Sequence, residues 1–192
     1  MSIIYGEHIR LRAVEREDLK KYHEWLNDPE VTEGTALYLP MSMVEEENWF
    51  DAISQLNPNE KPLAIDLRKD REWKLIGSCG FHVIEQKNRC AEIGIVIGDK
   101  TEWNKGYGSE TVTLLQRHGF ETLNLNRIFL RVYADNIRAV RSYEKAGFVL
   151  EGRLREATYK KGKYEDVLLM GILRSEWFLP KKKNEGEVNA SS

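Results

Sequence analysis

Two stretches of this 192-residue chain carry residues whose types and spacing could do chemistry. The first is Trp103-Asn104-Lys105-Gly106-Tyr107-Gly108-Ser109-Glu110, between a predicted strand and a predicted helix. Two glycines let the backbone curl until successive N–H groups point into one concavity, and the helix start adds the positive end of its dipole. That arrangement binds phosphate. Thr111 stands where the third glycine of GxGxxG belongs, and no GxxxxGK(S/T) occurs, so neither the dinucleotide nor the nucleoside-triphosphate fingerprint is met. The second stretch runs from Asp135 to Phe148. Asn136 suits a helix N-cap. Helical spacing then puts Val140 and Tyr143 near one face, with Arg138, Arg141 and Lys145 on another. By periodicity alone, Tyr143 reads as a core aromatic and the basic stripe as a solvated face.

Other reactive side chains offer little. His8, His23, His82 and His118 have no metal-ligand spacing, so no metal is expected. Cys79 and Cys90, each inside a predicted strand, lack a CxxC partner and read as ordinary buried thiols.

The elements that must position the two stretches follow from hydrophobic periodicity. Ile9, Leu11 and Ala13 alternate as a strand, and Leu19, Tyr22 and Leu26 recur at helical spacing before Pro29. Ser42 and Glu45 have capping-box spacing ahead of an apolar stripe at Trp49, Phe50 and Ile53. Strands are predicted at 63–67, 75–84 and 91–97, and a helix over 106–121 with Val112, Leu115 and Gly119 on one face. Residues 128–134 form a nearly continuous apolar run, which predicts burial on both faces. A helix over 137–146 ends at Gly147, and strands 149–159 and 164–173 flank a hairpin turn at 160–163. Strand, helix, strand implies a right-handed parallel crossover in an otherwise antiparallel sheet.

Composition bounds the rest. Lys+Arg 29 against Asp+Glu 31 give a formal net charge of -2, which excludes a wholly basic nucleic-acid surface. A chain of this length buries roughly 70% of its unfolded surface and needs no staples. The start MSIIYGEHIRLR lacks a targeting pattern, and no apolar run approaches the roughly 20 residues of a membrane span, so a cytoplasmic protein without membrane contact is expected. One domain is expected over 1–178, followed by a polar, disordered tail over 179–192.

In order, AEIGIVI, WNKGYGSE, RIFLRVYADNIRAVRSYEKAGF and EGRLREATYKKGKYEDVLLMGIL resemble the GNAT superfamily of acetyl-CoA-dependent N-acetyltransferases. The branch most resembled contains the RimJ/RimL-type protein N-terminal acetyltransferases and the bacterial spermidine N-acetyltransferases. The likeness runs to about Trp177, and Asn136…Tyr143…Gly147-Phe148 is its most specific part. One departure is visible: the family's pyrophosphate loop usually reads Gln/Arg-x-x-Gly-x-Gly/Ala, and here Trp103 takes the first position.

The resemblance implies a mixed α/β (α+β) fold, mostly antiparallel and twisted, with a splayed central parallel strand pair and about four helices. It implies that the pantetheine arm of acetyl-CoA enters the splay and bonds the backbone of Ile95, Val96 and Ile97. The pyrophosphate would lie on Asn104, Lys105, Gly106, Tyr107, Gly108 and Ser109, with Asn136 holding the arm. Arg138 and Arg141 become candidates for phosphate contacts, a solvated face being the alternative. The acceptor would be an amine, either a peptide N-terminus or a small molecule such as a polyamine, and a homodimer stays open. A non-catalytic acyl-CoA-binding module is the competing class.

Acyl transfer to an amine sets three demands. The amine must lose a proton, since an alkyl ammonium titrates at about 10.4. Glu92, at the mouth of the splay, or a water relay could accept it. The oxyanion needs preorganised donors, which the backbone N–H of Val96 or Ile97 could supply. The departing thiolate needs a proton, and Tyr143 matches the position of the family's general acid. No covalent enzyme intermediate is required.

Overall fold

The computed structural model describes residues 3–178. The expected tail, 179–192, lies outside the described residues. The elements run β1 (Ile4–Tyr5), β2 (Ile9–Ala13), α1 (Leu19–Leu26), α2 (Pro29–Thr32), α3 (Met43–Ile53), β3 (Leu63–Lys69), β4 (Glu72–Glu85) and β5 (Cys90–Ile97). They continue as α4 (Tyr107–Arg117), β6 (Arg127–Tyr133), α5 (Ile137–Lys145), β7 (Val149–Lys160), β8 (Lys163–Leu173) and α6 (Arg174–Trp177). All eight strands join one sheet in the order β1-β2-β3-β4-β5-β6-β8-β7. Every neighbouring pair is antiparallel except β5 and β6. Among the described residues, α1, α3, α4 and α5 are the helices of two turns or more, and α2 and α6 add one turn each.

Local chemistry fixes the ends of the elements that matter. The Ser42 hydroxyl accepts from the Glu45 N–H at 3.2 Å while the Glu45 carboxylate accepts from the Ser42 N–H at 2.7 Å, so the capping box starts α3. Asn136 Oδ1 accepts from the Ala139 N–H at 3.2 Å and starts α5. Gly147, at φ +95°, ends it. Lys161 and Gly162 both have positive φ, the two-residue turn that suits the twist of the β7–β8 hairpin.

The strand period divides the sheet into two faces. Ile9, Leu11, Ile65, Leu67, Phe81, Ile93, Ile128 and Leu130 form the larger core with Val112, Leu115 and Phe120 of the α4 segment. The opposite face carries a smaller cluster, Val14, Leu19, Tyr22 and Ala64, with Trp25, Phe50 and Ile53 of α1 and α3 against it. The expectation that residues 128–134 are buried on both faces is corrected. Ile128, Leu130 and Val132 are buried, whereas Phe129 is half-buried and Arg131 is exposed. α1 and α3 cover the β2–β4 side of their face, and Arg131 there turns its charge to Glu92. The two-residue β1 and one-turn α2 and α6 are too short for periodicity to show.

A buried ion network seats α1 on the sheet. Arg12 donates to both oxygens of Asp18, at 2.7 and 2.8 Å, and to both oxygens of Asp66, at 2.9 and 3.1 Å. Arg10 adds a bond to Asp66 at 2.9 Å. Asp66 is 2% exposed, so its charge depends on these partners. Arg12→Ala leaves buried Asp18 without its cation and Asp66 with Arg10 alone, and is expected to lower unfolding free energy by about 3 kcal/mol, measured by urea denaturation.

Candidate functional site

The site begins where two strands part. β5 and β6 align over Cys90↔Arg127, Ala91↔Ile128 and Glu92↔Phe129, then share no further rung although both continue. β5 keeps to β4 as far as Gly77↔Ile97, and the Gly98 N–H extends that contact to the Ile76 carbonyl at 2.9 Å. β6 keeps to β8 as far as Tyr133↔Val167. Because the Gly98 N–H points at β4, strand alternation turns the N–H and C=O of Gly94 and Val96 the same way. Those of Ile93, Ile95 and Ile97 therefore face the gap. Of the two oxyanion donors expected, the Ile97 N–H is aimed into the gap and the Val96 N–H is directed to β4.

The backbone curl lies at the far end of β5. Asn104 and Gly106 have φ of +61° and +91°, and α4 starts at Tyr107. A Cβ built on Gly106 or Gly108 would meet nothing within 4 Å, so the space before the helix N-terminus is open. The first-turn N–H groups of an eleven-residue helix face that space without intrahelical partners. A pyrophosphate fits such a cradle. Trp103 has a definite place: its indole N–H donates to the Ile97 carbonyl at 2.7 Å, and the Arg138 guanidinium lies 3.8 Å from its ring centroid. One side chain thus links the end of β5, the curl and the first turn of α5.

Beneath the curl, Glu102 is 2% exposed and accepts from Lys69 at 2.8 Å, Lys74 at 3.2 Å and Lys105 at 2.8 Å. These ammonium groups hold its carboxyl down to about 2, Lys105 contributing most. Lys105 is therefore engaged with Glu102. Tyr143 packs with Val140, Ile95 and Ile97 against the larger core and stands edge-on to Phe148 at 5.9 Å. Burial pushes its hydroxyl up to about 12. Asn136 spends its carbonyl oxygen on the cap and turns its amide nitrogen toward Gly34, where a Cβ would come within 2.9 Å. Glu92 occupies the last paired position, and both its oxygens accept from Arg131, at 2.8 and 3.0 Å. Arg141 is exposed.

A family model described as an acetyltransferase (GNAT) domain matches residues 8–149. The chain belongs to the GNAT acetyltransferase family. It is 32% identical over 177 residues to the uncharacterized N-acetyltransferase p20 of Bacillus licheniformis, covering 92% of this chain and 99% of the relative. It is 32% identical over 180 residues to the spermidine N(1)-acetyltransferase of Vibrio cholerae, covering 90% and 96%. The crystal structure of spermidine N-acetyltransferase from Vibrio cholerae in complex with CoA and spermine superposes with a TM-score of 0.81 at 30% identity, covering 91% of this chain and all of that one.

The GNAT chain is thus an N-acetyltransferase that uses acetyl-CoA and an amine acceptor. Its fold joins Ile97, the 104–109 curl and Arg138 through Trp103, with Tyr143 packed against the same strand. From the resemblance, sequence reasoning set Glu33, Tyr38 and Glu45 to Glu47, with Trp49 and Phe50, on the amine-binding side, a solvated face being the alternative. It did not single out Glu46, which alone of the three glutamates lines a cavity on the opposite face. The signal was present: the inward stripe of α3 at Trp49, Phe50 and Ile53, extended back one turn, lands on Glu46. No group of three His, Cys, Asp or Glu fit to hold a metal occurs among the described residues.

The Glu102 cluster predicts a pH signature. Its carboxyl sits near 2 in the fold against an ordinary 4.5, so its stabilising contribution is complete above 4.5 and drains as pH falls through about 2. Urea unfolding of the wild type and Glu102→Gln is expected to show the wild type more stable at pH 7, the difference closing between 4.5 and 2.

Proposed function

We propose that this enzyme acetylates a primary amine by direct attack in a ternary complex, with Tyr143 as general acid and the 93–97 backbone as the thioester's seat. The observation that carries the reading is the unpaired edge of β5, lying between the open cradle of α4 and the phenol of α5. Acetyl-CoA supplies the acetyl group as a thioester and leaves as the thiol. Gly106 to Ser109 bind its pyrophosphate through backbone N–H groups, and Arg138, carried on Trp103, faces the same phosphates. Backbone groups of Ile93 and Ile95 replace the lost ladder with bonds to the pantetheine amides, and the Ile97 N–H polarises the acetyl carbonyl.

Proton accounting assigns the remaining roles. The acceptor arrives as an ammonium and becomes an amide, so its nitrogen gives up two protons while the departing sulfur takes one. The sulfur's proton comes from Tyr143, and the phenol is restored by one of the two protons the amine gives up. A phenol near 12 keeps its proton at neutral pH, and the burial that raises it also raises the basicity of a thiolate leaving into the same dry gap. Glu92, its oxygens held by Arg131, orders the water that carries the remaining proton to solvent. A cytoplasmic setting accords with the acyl donor, and among the described residues no helix is long and apolar enough to cross a membrane.

Tyr143→Phe removes the hydroxyl and keeps the ring. Steady-state thiol release is expected to fall about 10²- to 10⁴-fold in kcat, the ordinary worth of a positioned acid. Calorimetry is expected to leave acetyl-CoA affinity within about twofold, since the phenol is placed at the sulfur and not in the cradle. Turnover near wild type would remove Tyr143 from this role. A complete absence of thiol release from wild type with every amine, despite acetyl-CoA binding, would favour the non-catalytic module.

A further inference from the structure

On the face of the sheet opposite Tyr143, α1, α3 and the loop between α2 and α3 enclose a cavity of about 250 Å³. Its floor is Ser78 of β4 and Val96 of β5, within the segment whose neighbours Ile95 and Ile97 face the gap. Its walls include the rings of Tyr22, Trp25 and Trp49. Trp25 lies against the end of β5 so closely that a Cβ on Gly98 would sit 2.1 Å from its indole, which is why that position is glycine.

One acidic group enters this apolar box. Glu46 is 1% exposed, and its Oε1 has no hydrogen-bond partner among the described residues. The Tyr22 hydroxyl, on a residue 4% exposed, is likewise unpartnered. The other carboxylates near this side are occupied: Glu45 closes the α3 capping box, Glu47 pairs with Arg16, and Glu33 pairs with Lys161. Burial holds the Glu46 carboxyl above its ordinary range, and His23 acts against that shift only when it is protonated. A carboxylate kept inside an apolar wall without a partner destabilises the fold unless something brings a counter-charge to it.

We infer that Glu46 anchors the acceptor's ammonium, and that the acceptor is a primary monoamine with an apolar or aromatic body. This rests on the N-acetyltransferase reading and narrows it. The cavity holds one buried carboxylate for one positive charge, and the rings of Trp25 and Trp49 on its wall suit an apolar body. A polyamine would press its further ammonium groups against those walls with no counter-charge, and each would have to be desolvated unpaired. A peptide N-terminus would bring amide groups to the same walls, which offer few partners. Val96 on the floor places the amine beside the strand that seats the thioester.

The test compares phenethylamine, spermidine and a short peptide with a free N-terminus as acceptors in a thiol-release assay, with wild type and Glu46→Gln. Phenethylamine is expected to exceed both others at least about tenfold in kcat/KM, the worth of one unpaired buried charge or polar group. Glu46→Gln is expected to raise the phenethylamine KM about 10- to 100-fold, the range for losing a charged hydrogen bond. The KM for acetyl-CoA should stay within about twofold, and the thermal midpoint should hold or rise, because an unpartnered buried charge is removed. A drop in the midpoint with an unmoved amine KM would make Glu46 structural and overturn the inference. Preference for spermidine or for the peptide would overturn it and leave acetyl transfer standing. No thiol release from any amine would overturn both.

Discussion

A strand cannot hold register with two neighbours whose twists diverge, and the functional architecture of this molecule depends on how that conflict resolves. β5 aligns with β4 at seven positions and β6 with β8 at seven, while β5 and β6 share three. Each antiparallel half accumulates its own right-handed twist, of about 20–25° per strand pair, and the weaker parallel seam between them opens. Backbone groups that a closed sheet would pair are left facing one another across the gap. Buried backbone polar groups require partners, so the gap is built to be completed by a polar, extended ligand. The indole of Trp103 satisfies the Ile97 carbonyl at the rim and thereby sets where the free edge ends.

The period-two geometry of β5 then lets three residues serve two chambers. Ile95 and Ile97 turn their side chains to the larger core, where Tyr143 packs, while Val96 turns to the cavity under α1 and α3. On the reading proposed above, donor and acceptor reach the same stretch of backbone from opposite faces, and neither has to cross the sheet. The ion network of Arg12 with Asp18 and Asp66 acts at a distance on this arrangement. By fixing the start of α1 it fixes Tyr22 and Trp25, which wall the second chamber.

Much of this was legible in the sequence because it is written in local chemistry. The capping box at Ser42, the N-cap at Asn136 and the glycine at 147 mark helix ends through bonds made within a few residues, and the structure has them there. The parallel crossover follows from a strand, helix, strand order, and the resemblance supplied the splay. What could not be read was set by neighbours distant in the chain. The apolar run at 128–134 suggested double burial, yet covering by α1 and α3 is a property of the sheet order, which leaves Arg131 free to reach Glu92. The three consecutive glutamates at 45–47 have one composition and three fates: a cap, an inward carboxylate and a surface ion pair. The local cap claims Glu45, and the way α3 packs on the sheet separates Glu46 from Glu47.

That separation also changes how the nearly balanced charge of the chain should be understood. A net charge of -2 could conceal two opposed fields, a basic one at the phosphates and an acidic one at the amine. At the curl the lysines do gather, but Lys69, Lys74 and Lys105 converge on one buried Glu102, which tempers their field while it fixes the loop. On the acceptor side Glu33 and Glu47 are paired and Glu45 is spent on a cap. Exposed charges of that kind are screened within roughly 8–10 Å at ordinary salt, whereas a charge held in an apolar wall acts at far lower effective dielectric. On the inference drawn above, discrimination among amines therefore falls to the inward carboxylate of Glu46. A surface rich in glutamate and a binding site that counts charges are separate properties, and in this fold they reside in adjacent residues of one helix.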